Sequence, residues 1–152
     1  MIYVISCIVM VLLDQASKYY AKTVIRSSGS IAVIEDFFHL TYLENRGAAF
    51  GMLQGQRVVF TIMTVIIIAV ILSYVSKNKG SIALKWIATF IIAGAIGNLI
   101  DRLFLGYVVD FIDFRGIWSY VFNVADMFVV CGAFAMALHL LLEEKAGKKI
   151  QE

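Results

Sequence analysis

The sequence predicts an all-α membrane protein with four transmembrane helices, a small β-sheet between the first two spans, and an interfacial flap segment between the last two. Of its 152 residues, 61% are hydrophobic and only 16% are charged, and mean hydropathy is +0.87. Because soluble domains usually contain about 25% charged residues, this composition argues against a soluble enzyme or a disordered chain. The net charge of +2 gives no indication of a nucleic-acid-binding surface.

Four segments are long and apolar enough to be spans, since a helix needs about 20 residues to cross about 30 Å of hydrocarbon. They are residues 2–24, 58–76, 85–104 and 122–142. We interpret the first as a retained span rather than a cleaved signal, because no basic segment precedes it and it continues through Asp14 and Lys18. An even number of spans places both termini on one side, and we expect residues 1–152 to form one domain. Lys and Arg are balanced between the two sides, so charge does not decide the orientation.

The two longer connections differ in pattern. In residues 26–57, apolar positions such as Phe38, Leu40 and Tyr42 alternate with other residues, as in a strand. We predict a small sheet or hairpin at the membrane surface, with a turn around Asn45-Arg46-Gly47, followed along the chain by the second span. Residues 105–121 mix aromatic and charged residues, which suits a flap in the interface.

Several polar residues lie within the spans, where each ionisable group costs about 2.5–3.5 kcal/mol and is a functional candidate. Asp14 and Lys18 stand four residues apart and can form an ion pair on one helical face. The third span carries Gly94, Asn98 and Asp101 on one face, and Gly94 with Gly97 lets another helix approach closely.

The fourth span opens with Asn123 and Asp126, three residues apart on one face. These groups lie at the end of spans one and three and at the start of span four. Because neighbouring spans are antiparallel, all of them converge at one membrane face, where both longer connections also emerge. The sequence therefore predicts one interfacial polar site.

Carboxylates are the groups in this set that can carry chemistry. Cys7 and Cys131 lack metal-ligand spacing, no His/Cys cluster or Gly-rich phosphate loop occurs, and we expect neither a metal nor a cofactor. Two neighbouring aspartates share a proton, so that one activates water while the other donates a proton. Such a pair hydrolyses a peptide bond.

The residues alone leave the identity of the pair open. Asp110 and Asp126 flank the flap segment and are modestly favoured, whereas Asp101 has cationic neighbours that suit a structural role. Asp113 is the main rival. Two other functions are compatible with the pattern: a small proton- or ion-coupled transporter, and a non-enzymatic assembly subunit. The absence of internal repeats and the interfacial rather than midplane position of the polar groups count against a transporter.

The chain resembles the lipoprotein signal peptidase (signal peptidase II) family in five motifs that follow in order across nearly its whole length. They are Asp14-Gln15-Ala16-Ser17-Lys18, Asn45-Arg46-Gly47-Ala48-Ala49-Phe50, Gly94-Ala95-Ile96-Gly97-Asn98-Leu99-Ile100-Asp101-Arg102, Val109-Asp110-Phe111 and Phe122-Asn123-Val124-Ala125-Asp126. One departure is Ala93, where family members often have the first glycine of a pair.

The resemblance implies a metal-free aspartic peptidase of the bacterial inner or cytoplasmic membrane. It would cleave diacylglyceryl-modified prolipoproteins just before the lipidated cysteine, with Asp110 and Asp126 as the catalytic pair. Supporting or substrate-binding roles map to Asp14, Lys18, Asn45, Gly47, Asn98, Asp101, Arg102, Asn123 and Ala125. The resemblance also implies cytoplasmic termini, an outward-facing site and an extracytoplasmic sheet. We expect membrane phospholipids but no nucleic acid as further partners, a monomeric chain, and shielding of the scissile bond by Phe111, Trp118 and Tyr120.

Overall fold

The structure is a computed structural model that describes residues 1–47, 55–78, 81–116 and 120–151, the last seven by their backbone only. The elements in chain order are α1 (Ile2–Tyr20), a π-helical turn (Ala21–Ile25), α2 (Arg26–Ser28), β1 (Ser30–Ile34), β2 (Phe38–Asn45), α3 (Arg57–Lys77), α4 (Ile82–Phe104), β3 (Val108–Phe114), β4 (Val121–Phe122) and α5 (Val124–Gln151). Within the described ranges, four helices are long and apolar enough to cross a membrane. The four predicted spans are confirmed.

Two span boundaries differ from the prediction. The first spanning helix continues without a break to Ser28, and it ends at Gly29, whose positive φ of 75° favours glycine. The fourth helix begins at Val124 because Phe122 is paired in β4. It also runs on through the charged tail to Gln151, where Glu, Lys and Ala are good helix formers.

The α4 helix is central in the bundle, since it packs against α1, α3 and α5. Small residues allow the closest of these approaches. A Cβ at Gly94 would overlap the Ala125 carbonyl oxygen, and one at Gly132 would lie 2.5 Å from Ile91 Cγ1. The predicted close packing of a neighbouring helix on Gly94 is confirmed, and that helix is α5.

The α3 helix is the outer member of the bundle. None of its residues is buried, and its apolar residues occur all round the helix, as expected of a surface that faces lipid. The Arg57 side chain at its start donates to the Leu103 carbonyl oxygen at the end of α4. The two helix ends next to the sheet are therefore joined.

The sheet is antiparallel, with strand order β1-β2-β3-β4. Its hairpin turn lies at residues 35–37, where Asp36 adopts a φ of 57°, a conformation that Asp tolerates better than most residues. The predicted turn at Asn45-Arg46-Gly47 instead marks the end of β2. The segment predicted between spans three and four contributes β3 and β4 to the same sheet, so the sheet is built from both connections.

The sheet packs on the π-helical turn of the first span. Ala21 and Ile25 from that turn form a buried apolar cluster with Val109 and Phe111 of β3. Alternate residues of a strand point to opposite faces, which leaves Asp110 on the other face. Phe111 is only 7% exposed in this cluster, so its predicted role in shielding a substrate is wrong. Trp118 lies outside the described residues.

Candidate active site

Polar side chains from several elements meet at the end of the bundle that carries the sheet. Asp14 and Lys18 come from α1, Asn98 and Asp101 from α4, Asp110 from β3, and Asn123 and Asp126 from the start of α5. All are buried except Asp126, which is half-buried. Hydrogen bonds and ion pairs connect all seven residues, so the predicted convergence on one site is confirmed.

Lys18 is the cation at the centre of this cluster. Its Nζ lies 2.9 Å from Asp14 Oδ2 and 3.2 Å from Asp101 Oδ2, and it donates to Asn98 Oδ1 at 2.9 Å. An ammonium group has three donors, and these three acceptors match them. A buried charge requires such pairing. The predicted Asp14–Lys18 ion pair is confirmed, and Asp101 completes it.

Asp14 and Asp101 also hold the backbone next to the two candidate catalytic residues. Asp14 Oδ1 accepts the backbone N–H of Ala125 at 2.9 Å, and Asp101 Oδ2 accepts that of Val109 at 3.0 Å. Ala125 directly precedes Asp126, and Val109 directly precedes Asp110. The Lys18-centred cluster therefore fixes the chain next to both aspartates, and Ala125, predicted as a supporting residue, takes part through its backbone N–H.

Gln15 is a site residue to which sequence reasoning assigned no role. Its Nε2 lies 3.1 Å from Asp101 Oδ1, 3.1 Å from the Gly97 carbonyl oxygen and 3.2 Å from Asp14 Oδ2. The amide thus crosses from α1 to α4 beside Lys18. Gln15 could have been identified from the sequence by its position three residues before Lys18, on the same helical face.

Asp110 is held by two amide side chains. Its Oδ1 accepts Asn123 Nδ2 at 2.6 Å, and its Oδ2 accepts Asn45 Nδ2 at 2.8 Å. The Oδ1 of Asn45 accepts the backbone N–H of Gly47 at 3.0 Å, an Asx turn that aims the amide nitrogen at Asp110. The structure therefore places Asn45 and Gly47, both predicted as supporting residues, at the site.

Asp126 shares Asn123 with Asp110 and also binds Asn98. Its Oδ1 accepts Asn98 Nδ2 at 2.7 Å, and its Oδ2 accepts the backbone N–H of Asn123 at 3.2 Å. In return, Asn123 Oδ1 accepts the backbone N–H of Asp126 at 2.9 Å. This reciprocal pair resembles a capping box at the start of α5. Asn123 therefore caps a helix and also connects the two aspartates.

The pKa of Asp110 is raised from 3.8 to about 7 by its burial and, second, by the charge of Asp126. The amide donors of Asn45 and Asn123 oppose this change because they stabilise the charged form. Near neutral pH, Asp110 is therefore divided between its protonated and ionised forms. A carboxyl group present in both forms near neutral pH can act as a general acid or as a general base.

The other predicted residues lie around this pair. The Arg102 guanidinium is 5.3 Å from the centre of the Phe60 ring, and it makes a long, 3.5 Å hydrogen bond to the Asn98 carbonyl oxygen. Asp113, the rival carboxylate, is half-buried in the sheet, where Thr41 and Arg115 donate to its Oδ2. Its described bonds go to the sheet, not to the amides of the site.

The four helices are long and apolar enough to span a membrane, and a site of carboxylates and amides lies at one end of them. These features define a multi-pass membrane protein. The chain belongs to the signal peptidase II family, since the family model described as signal peptidase (SPase) II matches residues 6–142. It is therefore a member of a peptidase family, and with bacterial relatives and four spans it is a bacterial multi-pass membrane protein.

Its relatives match over nearly the whole length. It is 49% identical to a lipoprotein signal peptidase of Halothermothrix orenii over 147 residues, covering 97% of this chain and 99% of that protein. It is 43% identical to one of Clostridioides difficile over 148 residues, covering 97% and 100%. A bacterial membrane enzyme solved by the in meso method at 2.3 Å resolution superposes with a TM-score of 0.87 at 32% identity, covering 93% of this chain and 88% of that one.

Proposed function

We propose that this chain is an aspartic endopeptidase that removes signal peptides from diacylglyceryl-modified prolipoproteins, cleaving just before the lipidated cysteine. Its relatives are named lipoprotein signal peptidases. The observation that carries the proposal is the pairing of Asp110 and Asp126 through Asn123 and Asn98. One chain, residues 1–152, acts as a single domain and as a monomer.

The reaction uses one water molecule and one shared proton. The ionised aspartate removes a proton from water, whose oxygen attacks the carbonyl carbon of the scissile bond, while the protonated aspartate donates to the carbonyl oxygen. In the second step the aspartate that was protonated by water donates its proton to the leaving amine as the C–N bond breaks. The other aspartate takes a proton from a hydroxyl group of the tetrahedral intermediate, which becomes the product carboxyl group, and the pair again holds one proton. Protons and electrons balance over both steps, and no metal or covalent intermediate is needed.

The depth of the site suits a lipidated substrate. The pair lies where the helices end and the sheet begins, a position that we assign to the membrane interface. The acyl chains of the substrate remain in the bilayer, and water reaches the bond from the aqueous side. In this proposal the sheet side is extracytoplasmic and both termini are cytoplasmic, as the family resemblance implies.

Two variants of the pair test the assignment. Purified protein in lipid is given a diacylglyceryl-modified precursor, and Asp110→Asn and Asp126→Asn are each expected to lower the cleavage rate at least about 100-fold, since general acid–base catalysis contributes roughly 10²–10⁴-fold. Asp113→Asn, three residues along the same strand, is the matched control and is expected to retain activity. The unfolding temperature of each variant shows that it is folded.

The following results would contradict the catalytic assignment or the metal-free mechanism. Cleavage that persists in both Asp110→Asn and Asp126→Asn would contradict the catalytic assignment, and loss of activity in Asp113→Asn alone would move it to the rival residue. EDTA is expected to have no effect. Inhibition by EDTA that added metal reverses would contradict the metal-free mechanism.

A further inference from the structure

A cavity lies between the first spanning helix and α4. It has a volume of about 400 Å³ and is bordered by Gln15, Tyr19 and Lys22 on one side and by Ile100, Phe104 and Leu105 on the other. Lys18, Asp101 and Val109 also line it, whereas Asp110 and Asp126 are not among its described lining residues. The cavity therefore adjoins the supporting cluster but is distinct from the catalytic pair. We call it the α1–α4 groove.

The accessible charge in the α1–α4 groove is positive. Its carboxylate, Asp101, is only 2% exposed, and both of its oxygens are bound by Gln15, Lys18 and the Val109 backbone. The positive charge of Lys18 is already paired in these bonds. Lys22 is half-buried at the groove and has no carboxylate within 4.0 Å in the part of the chain that the structure describes. It is therefore available to an anion.

Polarity changes along the helix face that forms the groove. Lys22, Tyr19 and Gln15 are followed, one and two turns deeper in the membrane, by Leu12 and Ile8, which are 62% and 54% exposed. Fourteen residues separate Ile8 from Lys22, or about 21 Å of helix at 1.5 Å per residue. This length is close to the thickness of one leaflet, since a bilayer with its headgroups is about 40–45 Å thick.

The opposite wall offers a matching apolar surface. Phe104 of α4 is 82% exposed and Ile100 is half-buried, and both line the groove. An acyl chain that descends from the level of Lys22 would pass these two residues first and then reach Leu12 and Ile8. Tyr19, 69% exposed, lies at the depth where aromatic residues meet headgroups.

We propose that the α1–α4 groove binds one anionic phospholipid, of the phosphatidylglycerol type, from the leaflet on the sheet side. Its phosphate pairs with Lys22, and its acyl chain lies along the apolar wall. A zwitterionic lipid presents its own cation next to the phosphate, which lowers its attraction to a single lysine. The bound lipid closes the groove over the Lys18–Asp101 pair, so binding stabilises the fold by mass action.

Thermal unfolding of the full chain in detergent tests this site without using peptidase activity. Phosphatidylglycerol is expected to raise the unfolding temperature by about 5 °C, and phosphatidylcholine with the same chains by much less. Lys22→Gln should abolish the difference between the two lipids, and Lys22→Arg should keep it. Arg115→Gln, which removes a cation from the sheet at the same end of the bundle, is the matched control and should also keep it.

A second variant fills the α1–α4 groove and leaves the charge of Lys22 in place. Ile100→Trp fills the groove and should unfold at nearly the wild-type temperature in lipid-free detergent, yet lose the stabilisation by phosphatidylglycerol. Equal stabilisation by both lipids, or an unchanged response in Lys22→Gln, would overturn the proposal. Stabilisation by glycerol 3-phosphate alone would overturn the lipid as the source of the phosphate.

Discussion

The protonation of Asp110 affects the free energy of unfolding. Burial, and then the Asp126 charge, raises its pKa to about 7, whereas an unfolded aspartate has a pKa of about 3.9. A raised pKa means that the folded state binds the proton more tightly. The contribution of Asp110 to the free energy of unfolding is therefore complete below about pH 4 and is lost as pH rises to about 7.

We therefore expect the unfolding free energy to fall by up to about 4 kcal/mol between pH 4 and pH 8 on account of Asp110. Asp110→Asn should flatten this slope, because an amide does not titrate. Chemical or thermal unfolding in detergent at a series of pH values measures it. Asp36→Asn, at an exposed turn residue, should leave the slope unchanged. The same slope in wild type and Asp110→Asn would refute the coupling.

At the scale of elements, the helices were predictable and the second half of the sheet was not. Long apolar runs and the four-residue spacing of Asp14 and Lys18 are local signals. The β3 strand, Val-Val-Asp-Phe-Ile-Asp-Phe, has no clean alternation, and its conformation depends on pairing with β2, which lies more than 60 residues away. The π-helical turn packs against Val109 and Phe111, and no local sequence signal predicts it.

The same distinction applies to the site. The sequence placed the polar residues at one end of the bundle, because helical faces and span direction are local properties. Which aspartates form the pair depends on nonlocal bonds, above all those from Asp14 and Asp101 to the backbone of Ala125 and Val109. Spacing alone therefore favoured Asp110 over Asp113 only weakly. The motifs of the family resemblance supplied the preference.

The start of α5 allows capping to be separated from catalysis. Asn123 Oδ1 caps the helix, while its Nδ2 donates to Asp110 and Asn98. Asn123→Ser retains an N-cap acceptor but loses the amide donor, whereas Asn123→Ala loses both. We expect both variants to cleave precursor at least about 10-fold more slowly, since a hydrogen bond to a charged group contributes roughly 1.5–3 kcal/mol.

The two variants should differ in stability. Asn123→Ala is expected to be less stable than Asn123→Ser by about 1 kcal/mol, the usual contribution of an N-cap, measured by unfolding in parallel with cleavage. Equal stability would show that Asn123 does not cap α5. Full activity in Asn123→Ser would show that its amide is not needed at Asp110.

The contact of α4 with α5 leaves no room for one methyl group. A Cβ at Gly94 would overlap the Ala125 carbonyl oxygen and lie 2.8 Å from Val129 Cγ2. Gly94→Ala should therefore displace α5 and lower the unfolding free energy by about 1–3 kcal/mol, with reduced cleavage because α5 carries Asp126. Ala83→Ser, at an exposed position of the same helix, is the control and should behave as wild type. Wild-type stability in Gly94→Ala would refute the close approach.

At the scale of the whole molecule, one buried cation joins the bundle to the sheet. Lys18 of α1 binds Asp101 of α4, Asp101 binds the backbone of β3, and Asp14 binds the backbone at the start of α5. Four elements thus depend on the pairing of two carboxylates with one ammonium group. Since each of these groups is almost fully inaccessible, losing the cation leaves two carboxylates without compensation in a medium that solvates them poorly.

Lys18→Met is therefore expected to destabilise the protein by about 3–5 kcal/mol, the usual result of breaking a buried ion pair. Because the cause is an uncompensated carboxylate rather than a lost contact, adding Asp101→Asn to Lys18→Met should restore part of the stability. Asp101→Asn by itself should destabilise. Unfolding of the two single variants and the double variant in detergent gives the interaction free energy directly. Strictly additive effects would mean that Lys18 and Asp101 contribute independently, and the connection between bundle and sheet would then rest on packing alone.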